Sequence, residues 1–209
     1  MAEALTLHED PRSGNCYKIK LTAALLGLPL VTRGYDIMRG DTRTPEFLAR
    51  INPNGRIPVL QIGAGDAARF LPESNAACWY LARGSSLIPA DPFAEADCLR
   101  WMFFEQNSHE PHIATLRFWL TFVGEAQLSA EQRAQMMAKR MAGAAALDLM
   151  NRHLASQTFL CGAGASLADI ALFAYTHVAD EGGFRLADYP HIGAWCERVR
   201  GLPGFVPMT

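Results

Sequence analysis

The chain lacks most of what would mark it as a membrane, export or nucleic-acid protein. No unbroken apolar run reaches the roughly 20 residues a membrane helix needs. The first residues, Met-Ala-Glu-Ala-Leu, carry neither a basic n-region nor an apolar h-region, which predicts no export signal. Nineteen Lys+Arg stand against 21 Asp+Glu, a net charge of −2. The basic stripe of a general nucleic-acid binder is therefore missing. Cysteine is sparse and scattered: Cys16, Cys78, Cys98, Cys161 and Cys196 are odd in number, with no metal-type pairs and no obvious disulfide frame. A reducing cytoplasm is the expected home. His109-Glu-Pro-His112 has not the HExxH spacing, no third ligand is evident, and Pro111 would kink a helix there, so no metal is expected. There is no internal repeat and no low-complexity tract.

What is present is an ordinary globular composition, with 50% hydrophobic and 19% charged residues. The 209 residues suffice for a sizeable core in one domain or two small ones. The first 83 residues alternate strand-like and helix-like segments. A short strand is expected over Leu5 to His8, and a turn-rich loop over Asp10 to Gly14. Asn15 can cap a helix to Leu26, with Gly27 as its stop. A second strand is expected over Leu30 to Asp36. Thr44-Pro45-Glu46 opens a short helix with threonine as cap and proline in the first turn. A strand opened by Pro58, a Gly63-Ala-Gly-Asp66 turn, a strand through Leu71 and a helix from Ser74 to Arg83 complete this half. The order βαβ then αββα, with an antiparallel hairpin, makes the sheet mixed.

Residues 84–92 read as a linker with two Ser and two Pro. Beyond it the patterns near 93–123, 129–155, 166–180 and 188–200 are helical, and no strand signal competes. Ser166-Leu-Ala-Asp169 is a capping box with Asp in place of Glu. The apolar run Ile170-Ala-Leu-Phe-Ala-Tyr175 after it fits a buried central helix, so this motif speaks to folding.

One stretch carries more chemistry than the rest: Asn52-Pro-Asn-Gly-Arg-Ile-Pro-Val-Leu60, followed by Glu73-Ser74. Proline lacks a ladder N–H and suits the first residue of a strand. An X-Pro bond is also the one place where a cis peptide is cheap. A cis bond after Ile57 would turn its backbone outward, where it could pair with an extended peptide. Glu73 and Ser74 stand where a strand gives way to a helix, and helix starts favour carboxylates. A small acidic peptide fits both features.

These residues, with Pro72-Glu-Ser-Asn75, Trp79-Tyr-Leu-Ala82 and Ser166-Leu-Ala-Asp169, resemble a cytosolic glutathione S-transferase along essentially the whole chain. Ser13-Gly-Asn-Cys-Tyr-Lys18 and Trp101-Met-Phe-Phe-Glu-Gln106 resemble a bacterial branch with a serine- or asparagine-type site. The resemblance implies an α/β thioredoxin-like N-terminal domain with a mixed four-stranded sheet, followed by an all-α domain. It implies residues 1–83 for glutathione, 84–92 as linker, and 93–209 as the helical domain forming the electrophile site. A homodimer is implied as well.

The implied activity stabilises glutathione as a thiolate and directs it at a small apolar electrophile. Glutathione is then a co-substrate, without a metal. A free thiol ionises near pH ~8.5. A hydroxyl or amide donor at a helix start lowers that value, and a drop of two units corresponds to about 2.7 kcal/mol. Ser13 is the first choice of donor, with Asn15 assisting or replacing it. Cys16, in a helix's first turn, is either a low-pKa thiol or a buried structural one. The other four cysteines are expected to be inert. The resemblance further implies Ile57 before Pro58 as the backbone partner of glutathione, Glu73 for its ammonium and Ser74 for its carboxylate. Arg39 or Arg43 would meet the glycyl carboxylate, and Arg56 lies alongside. Trp101, Phe104, His109 and Arg117 are candidates for the electrophile site, though helix-spaced aromatics also suit a core. Alternatives on the same scaffold are a glutathione-dependent disulfide or peroxide reductase and a non-catalytic protein-binding member.

Overall fold

The computed structural model describes residues 3–208. Two compact units emerge. One runs to Ser85 and takes back the chain from Leu202 onward; the other is Ser86–Gly201. The return of the chain end departs from a helical domain reaching 209. It is anchored by the Tyr17 hydroxyl, which donates to the Val206 carbonyl at 2.7 Å.

The first unit is built on a four-stranded mixed sheet in the order β2-β1-β3-β4. Its strands are β1 (Leu5–Glu9), β2 (Val31–Gly34), β3 (Val59–Ile62) and β4 (Arg69–Pro72). β1 pairs parallel with β2 (His8 opposite Arg33) and antiparallel with β3 (His8 opposite Val59). β3 and β4 form the expected hairpin, with Val59 opposite Pro72. β2 is shorter than the strand expected over Leu30 to Asp36, and all four residues are exposed, as befits an edge strand. Helix α1 (Gly14–Leu25) packs on β1 and on α3 (Ser74–Ala82), and α3 packs on β3 and β4. Leu7, Ile19, Leu21, Val59, Leu60 and Ala77 are buried in this unit's core.

Ser13, and not Asn15, caps α1. An N-cap side chain reaches the N–H three residues on, and Ser13 Oγ accepts from Cys16 N at 3.4 Å. Asn15 is thereby moved into the helix's first turn, which frees its side chain for a distant partner. Thr44 caps the short α2 (Pro45–Arg50) as its motif foretold, accepting from Phe47 N at 3.2 Å.

The second unit is helical: α4 (Pro92–Phe104), α5 (Glu110–Arg117), α6 (Ala130–Leu154), α7 (Leu167–Thr176) and α8 (Pro190–Arg200). Pro111 does not break the run. The turn before it, Glu105–His109, widens to π geometry, and Pro111 then falls in the first turn of α5, where no helical N–H is lost. Every residue of α7 is buried. Its capping carboxylate, Asp169, accepts from Leu160 N, Ser166 N, the Ser166 hydroxyl and Trp195 Nε1, all at 2.8–2.9 Å. Four donors saturate a carboxylate that has no exposure to water, which is how so buried an acid is tolerated.

Candidate functional site

The first unit gathers three chain segments around a cavity of about 250 Å³ lined by Ser13, Ile37, Thr42, Arg43, Gly55, Arg56 and Ile57. Ser13 arrives as the cap of α1, half-buried, with its N–H tied to the Asp10 carbonyl at 2.9 Å. Gly55 to Ile57 arrive on a turn braced by Asn52. Asn52 Oδ1 accepts from Asn54 N at 3.0 Å, Nδ2 donates to the Arg56 carbonyl at 2.9 Å, and its own carbonyl accepts from Gly55 N at 2.9 Å. This bracing is the local reason for the Asn-Pro-Asn-Gly sequence.

The Ile57–Pro58 bond is cis. Among the described residues, neither the N–H nor the C=O of Ile57 has a hydrogen-bond partner, although Ile57 is half-buried. Backbone groups away from bulk water are nearly always paired. An unpaired donor and acceptor on one residue, beside a serine hydroxyl in the same cavity, present a main-chain docking edge of the kind an extended peptide uses.

The start of α3 lies outside that lining. Glu73 has φ 70° and ψ 110°, the one non-glycine residue with positive φ among the described residues. Such a backbone costs on the order of 1–3 kcal/mol and persists where its surroundings impose it, often at functional sites. Its exposed carboxylate makes no capping bond to the helix it precedes. Ser74, 7% exposed, donates its hydroxyl proton to Asn15 Oδ1 at 3.2 Å.

An ion-pair frame around the buried Asp10 stiffens the loops that carry these groups. Arg12 grips Asp10 through Nε at 2.8 Å and Nη2 at 2.6 Å, and reaches Asp36 at 2.6 Å. Asp10 also accepts from Ile37 N at 3.2 Å. Burial alone would push the Asp10 carboxyl up; the bonds from Arg12 outweigh it and hold it below the usual range. Asp36 is lowered chiefly by its bond from Arg12. The loop after β1 is thus fixed to the loop after β2, which carries Ile37, Thr42 and Arg43. Sequence reasoning missed this frame because Asp10-Pro-Arg12 looks like any turn; its meaning lies in Asp36, distant in sequence.

Sequence profiles of the glutathione S-transferase N-terminal and C-terminal domains match residues 12–83 and 126–198. A glutathione S-transferase structure from Pseudomonas fluorescens Pf-5 is 48% identical, with a TM-score of 0.90 over 98% of both chains. Glutathione S-transferase 3 of Zea mays is 31% identical over 96% of this chain and 91% of its own length. The chain belongs to the glutathione S-transferase family. A more distant glutathione transferase, from Burkholderia graminis, shares the fold at 24% identity and a TM-score of 0.82, covering 97% of this chain and 85% of its own.

The N-terminal match of this glutathione S-transferase family member contains every group of the cavity and of the α3 start. Of Arg39 and Arg43, either of which was expected at the glycyl carboxylate, one lines the cavity. Arg39 is exposed, ends a short turn before the left-handed Gly40, and does not line the cavity. Arg43 does line it, and its Nη1 donates to the Asn54 carbonyl at 3.2 Å. Cys16 is fully buried, and burial pushes its thiol up to about 12 despite the Ser13 hydroxyl and the nearby helix start. A thiol so placed is protonated at neutral pH and is no nucleophile.

In the helical unit the electrophile candidates are largely committed to packing. Trp101, 1% exposed, meets Phe104 edge-on at 5.3 Å and His153 at 4.8 Å. His109 is fully buried, with Nε2 2.9 Å from the Thr176 hydroxyl. Arg117 pairs with Glu181 at 2.7 Å and lies over Phe122. Phe104 alone of the four is half-buried rather than buried. Helical spacing marked this face correctly as apolar, but the face is turned into the unit's own core. Among the described residues no cluster of three His, Cys, Asp or Glu offers a metal site.

Proposed function

We propose that this chain binds glutathione along the Ser13–Ile57–Glu73 groups and stabilises its thiolate for attack on a small, apolar electrophile. The observation that carries this reading is the unpaired N–H and C=O of Ile57 in one cavity with Ser13. The cysteinyl residue of glutathione has the matching C=O and N–H, and pairing them places its sulfur toward the start of α1. There the Ser13 hydroxyl donates to the sulfur, and the helix dipole adds to it. A hydrogen bond to a charged acceptor contributes about 1.5–3 kcal/mol, which covers the ~2.7 kcal/mol of a two-unit drop in thiol pKa. The ionised sulfur then displaces a leaving group from, or adds to, the electrophile.

The ends of the tripeptide are met by charge. Glu73 accepts from the γ-glutamyl ammonium. The carboxylate beside it takes the N–H groups at the start of α3, with Ser74 first among them. Arg43 is placed for the glycyl carboxylate, in preference to Arg39. The positive φ of Glu73 fits this arrangement, since it turns the carboxylate away from the helix it would otherwise cap.

A homodimer is part of the proposal. Phe93 and Phe103 on α4, with Met137 and Met141 on α6, are 65–81% exposed, more apolar surface than a lone chain ordinarily shows. No helix of the described residues is long and apolar enough to cross a membrane, and a cytoplasmic enzyme is proposed. The deciding experiment is titration of bound glutathione by thiolate absorbance. Wild type should show a pKa one to two units below free glutathione, and Ser13→Ala should restore most of that difference. Tight binding with an unshifted thiol would instead favour a non-catalytic member of the family.

A further inference from the structure

A second cavity of the first unit, about 370 Å³, lies between α2 and the sheet and shares no lining residue with the one that holds Ser13 and Ile57. Each strand supplies one side chain to it: Arg33 on β2, His8 on β1, Gln61 on β3 and Phe70 on β4. The register puts these four on one face of the sheet. Arg33 is opposite His8, Phe70 is opposite Gln61, and Gln61 is opposite Thr6, two residues from His8. The other face presents Leu7 and Leu60, both fully buried. A sheet face covered by a helix is ordinarily apolar, yet three of these four positions are polar.

His8 is 1% exposed, and its ring is held at both nitrogens. Nε2 lies 2.9 Å from Gln61 Oε1, and Gln61 Nε2 donates to the Gly63 carbonyl at 3.2 Å, so the His8 Nε2 carries the proton. Nδ1 then accepts from the Tyr35 hydroxyl at 2.9 Å. Burial, opposed by the Gln61 bond and joined by the Arg33 charge, holds His8 below its ordinary range, and the ring is neutral at pH 7. The charge of the cavity therefore comes from Arg33 and Arg50 on one side of the ledger and Glu46 and Asp66 on the other. Among the described residues none of these four side chains has a hydrogen bond or an ion pair; Arg33 only lies over the Tyr35 ring, 5.7 Å from its centre. Glu46 and Arg50 stand four apart on α2, a spacing at which such residues commonly pair, yet both face the cavity unpaired. Arg33 is on an edge strand and Asp66 is in the β3–β4 turn, two to three strand spacings away, or about 10–14 Å.

We infer that this cavity is a second binding site, for a short peptide with a free ammonium and a free carboxylate. The carboxylate is met by Arg33 and the ammonium by Asp66, and α2 adds a further partner of each sign in Arg50 and Glu46. An extended tripeptide is about 10 Å long at 3.3–3.6 Å per residue, which matches the separation of Arg33 from Asp66. A free amino acid is too short to reach both. Phe70 and Ile51, both half-buried, are the apolar lining on which its side chains rest. A ligand with a single charge would cover side chains of the other sign without pairing them, at a cost in desolvation.

Trialanine titrated into the full-length protein, followed by the backbone amide signals of Gln61 and Phe70 in NMR, tests the site. Those signals should move and saturate. N-acetyl-trialanine and trialanine amide, each lacking one terminal charge, should bind roughly tenfold more weakly or worse, as should free alanine. Arg33→Ala and Asp66→Asn alter exposed side chains and should weaken trialanine to a similar degree. Arg43→Ala, in the other cavity, should leave its affinity unchanged. The absence of a saturable shift with trialanine would overturn the assignment. So would blocked peptides that bind as well as trialanine, or a loss in Arg43→Ala with full binding in Arg33→Ala. Calorimetry with glutathione on the same proteins keeps the two sites apart: Arg33→Ala should bind it as wild type does, and a wild type that takes trialanine but not glutathione would refute the glutathione reading alone.

Discussion

Asn15, in the first turn of α1, accepts the Ser74 hydroxyl proton at 3.2 Å, so two helix starts 59 positions apart share one polar contact. Ser74 has a single hydroxyl proton. While Asn15 holds it, a ligand carboxylate at α3 must be met by backbone N–H groups. On the proposed reading, with Ser13 as donor, Asn15 acts as a positioning residue. Asn15→Ala removes the neutral hydrogen bond from Ser74, worth about 1 kcal/mol. Glutathione affinity in calorimetry should fall roughly threefold to tenfold, with the thiol pKa of the bound ligand nearly unchanged. A rise of that pKa by a full unit would make Asn15 the donor and demote Ser13.

Glu73 combines a strained backbone with a charge proposed to hold an ammonium. Glycine tolerates positive φ far better than glutamate, so Glu73→Gly should relieve roughly 1 kcal/mol of strain while discarding the charge. The expected result is opposite signs in two measurements. Melting temperature should rise by about 2–4 °C, and affinity for glutathione should drop at least tenfold. A variant that is stabilised yet binds as well as wild type would leave the strain without the role proposed for it.

The parts of this site that were legible in the sequence are those written in local chemistry. Ile57-Pro58 signals its bond geometry within two residues. Glu73-Ser74 signals a helix start, and Ser166 with Asp169 signals a cap. The hairpin and the mixed sheet follow from turn residues and alternation. Contacts set by the tertiary fold were not legible. Asn15 was read as a cap, because an asparagine and a serine two positions apart compete for that place. Arg39 and Arg43 could not be told apart until Gly40, at φ 78°, turned the chain between them. Trp101 and His109 lie on a helix whose apolar face was plain, while the partner of that face was not.

Cys16 should reveal itself in alkali. Its folded-state pKa of about 12 lies above that of an unfolded thiol, near ~8.5. The unfolded chain therefore loses this proton first as pH rises. Stability associated with Cys16 is complete below about pH 8.5 and drains away as pH climbs toward the folded value, by about 1.4 kcal/mol per pH unit. Urea unfolding at pH 8 and pH 10 should show Cys16→Ala losing less stability over that interval than wild type, by about 2 kcal/mol. Equal losses in both proteins would mean that Cys16 ionises in the native state.

Asp169 tests the helical unit. Both its oxygens face donors only. In Asp169→Asn one oxygen becomes an NH₂ group, and two buried donors lose their acceptor. The loss should be about 3 kcal/mol, a fall in melting temperature of roughly 6–12 °C. Since the residue lies far from the chemistry in sequence and in role, thiol pKa in bound glutathione should not move. A mild effect would mean that Asn can rotate to satisfy the Leu160 and Trp195 donors after all.

Gly55 and Arg43 test the far wall of the cavity together. Gly55 has φ +61°, and a Cβ there would come within 2.7 Å of the Arg43 guanidinium and 3.0 Å of the Thr42 carbonyl. The guanidinium can swing aside, but the Thr42 backbone is buried and cannot. Gly55→Ala should therefore cost about 1–2 kcal/mol in stability and drive Arg43 from its place. Arg43→Ala removes the charge without the strain, because the exposed side chain gives up one hydrogen bond to Asn54. Its melting temperature should stay near wild type, while glutathione affinity falls roughly tenfold, about 1.4 kcal/mol. The matching loss in Gly55→Ala, together with an unaltered affinity in Arg39→Ala, would assign the glycyl carboxylate to Arg43. The reverse pattern, with Arg39→Ala weakened and Arg43→Ala intact, would return that role to Arg39 and require the turn at Gly40 to rearrange when glutathione binds.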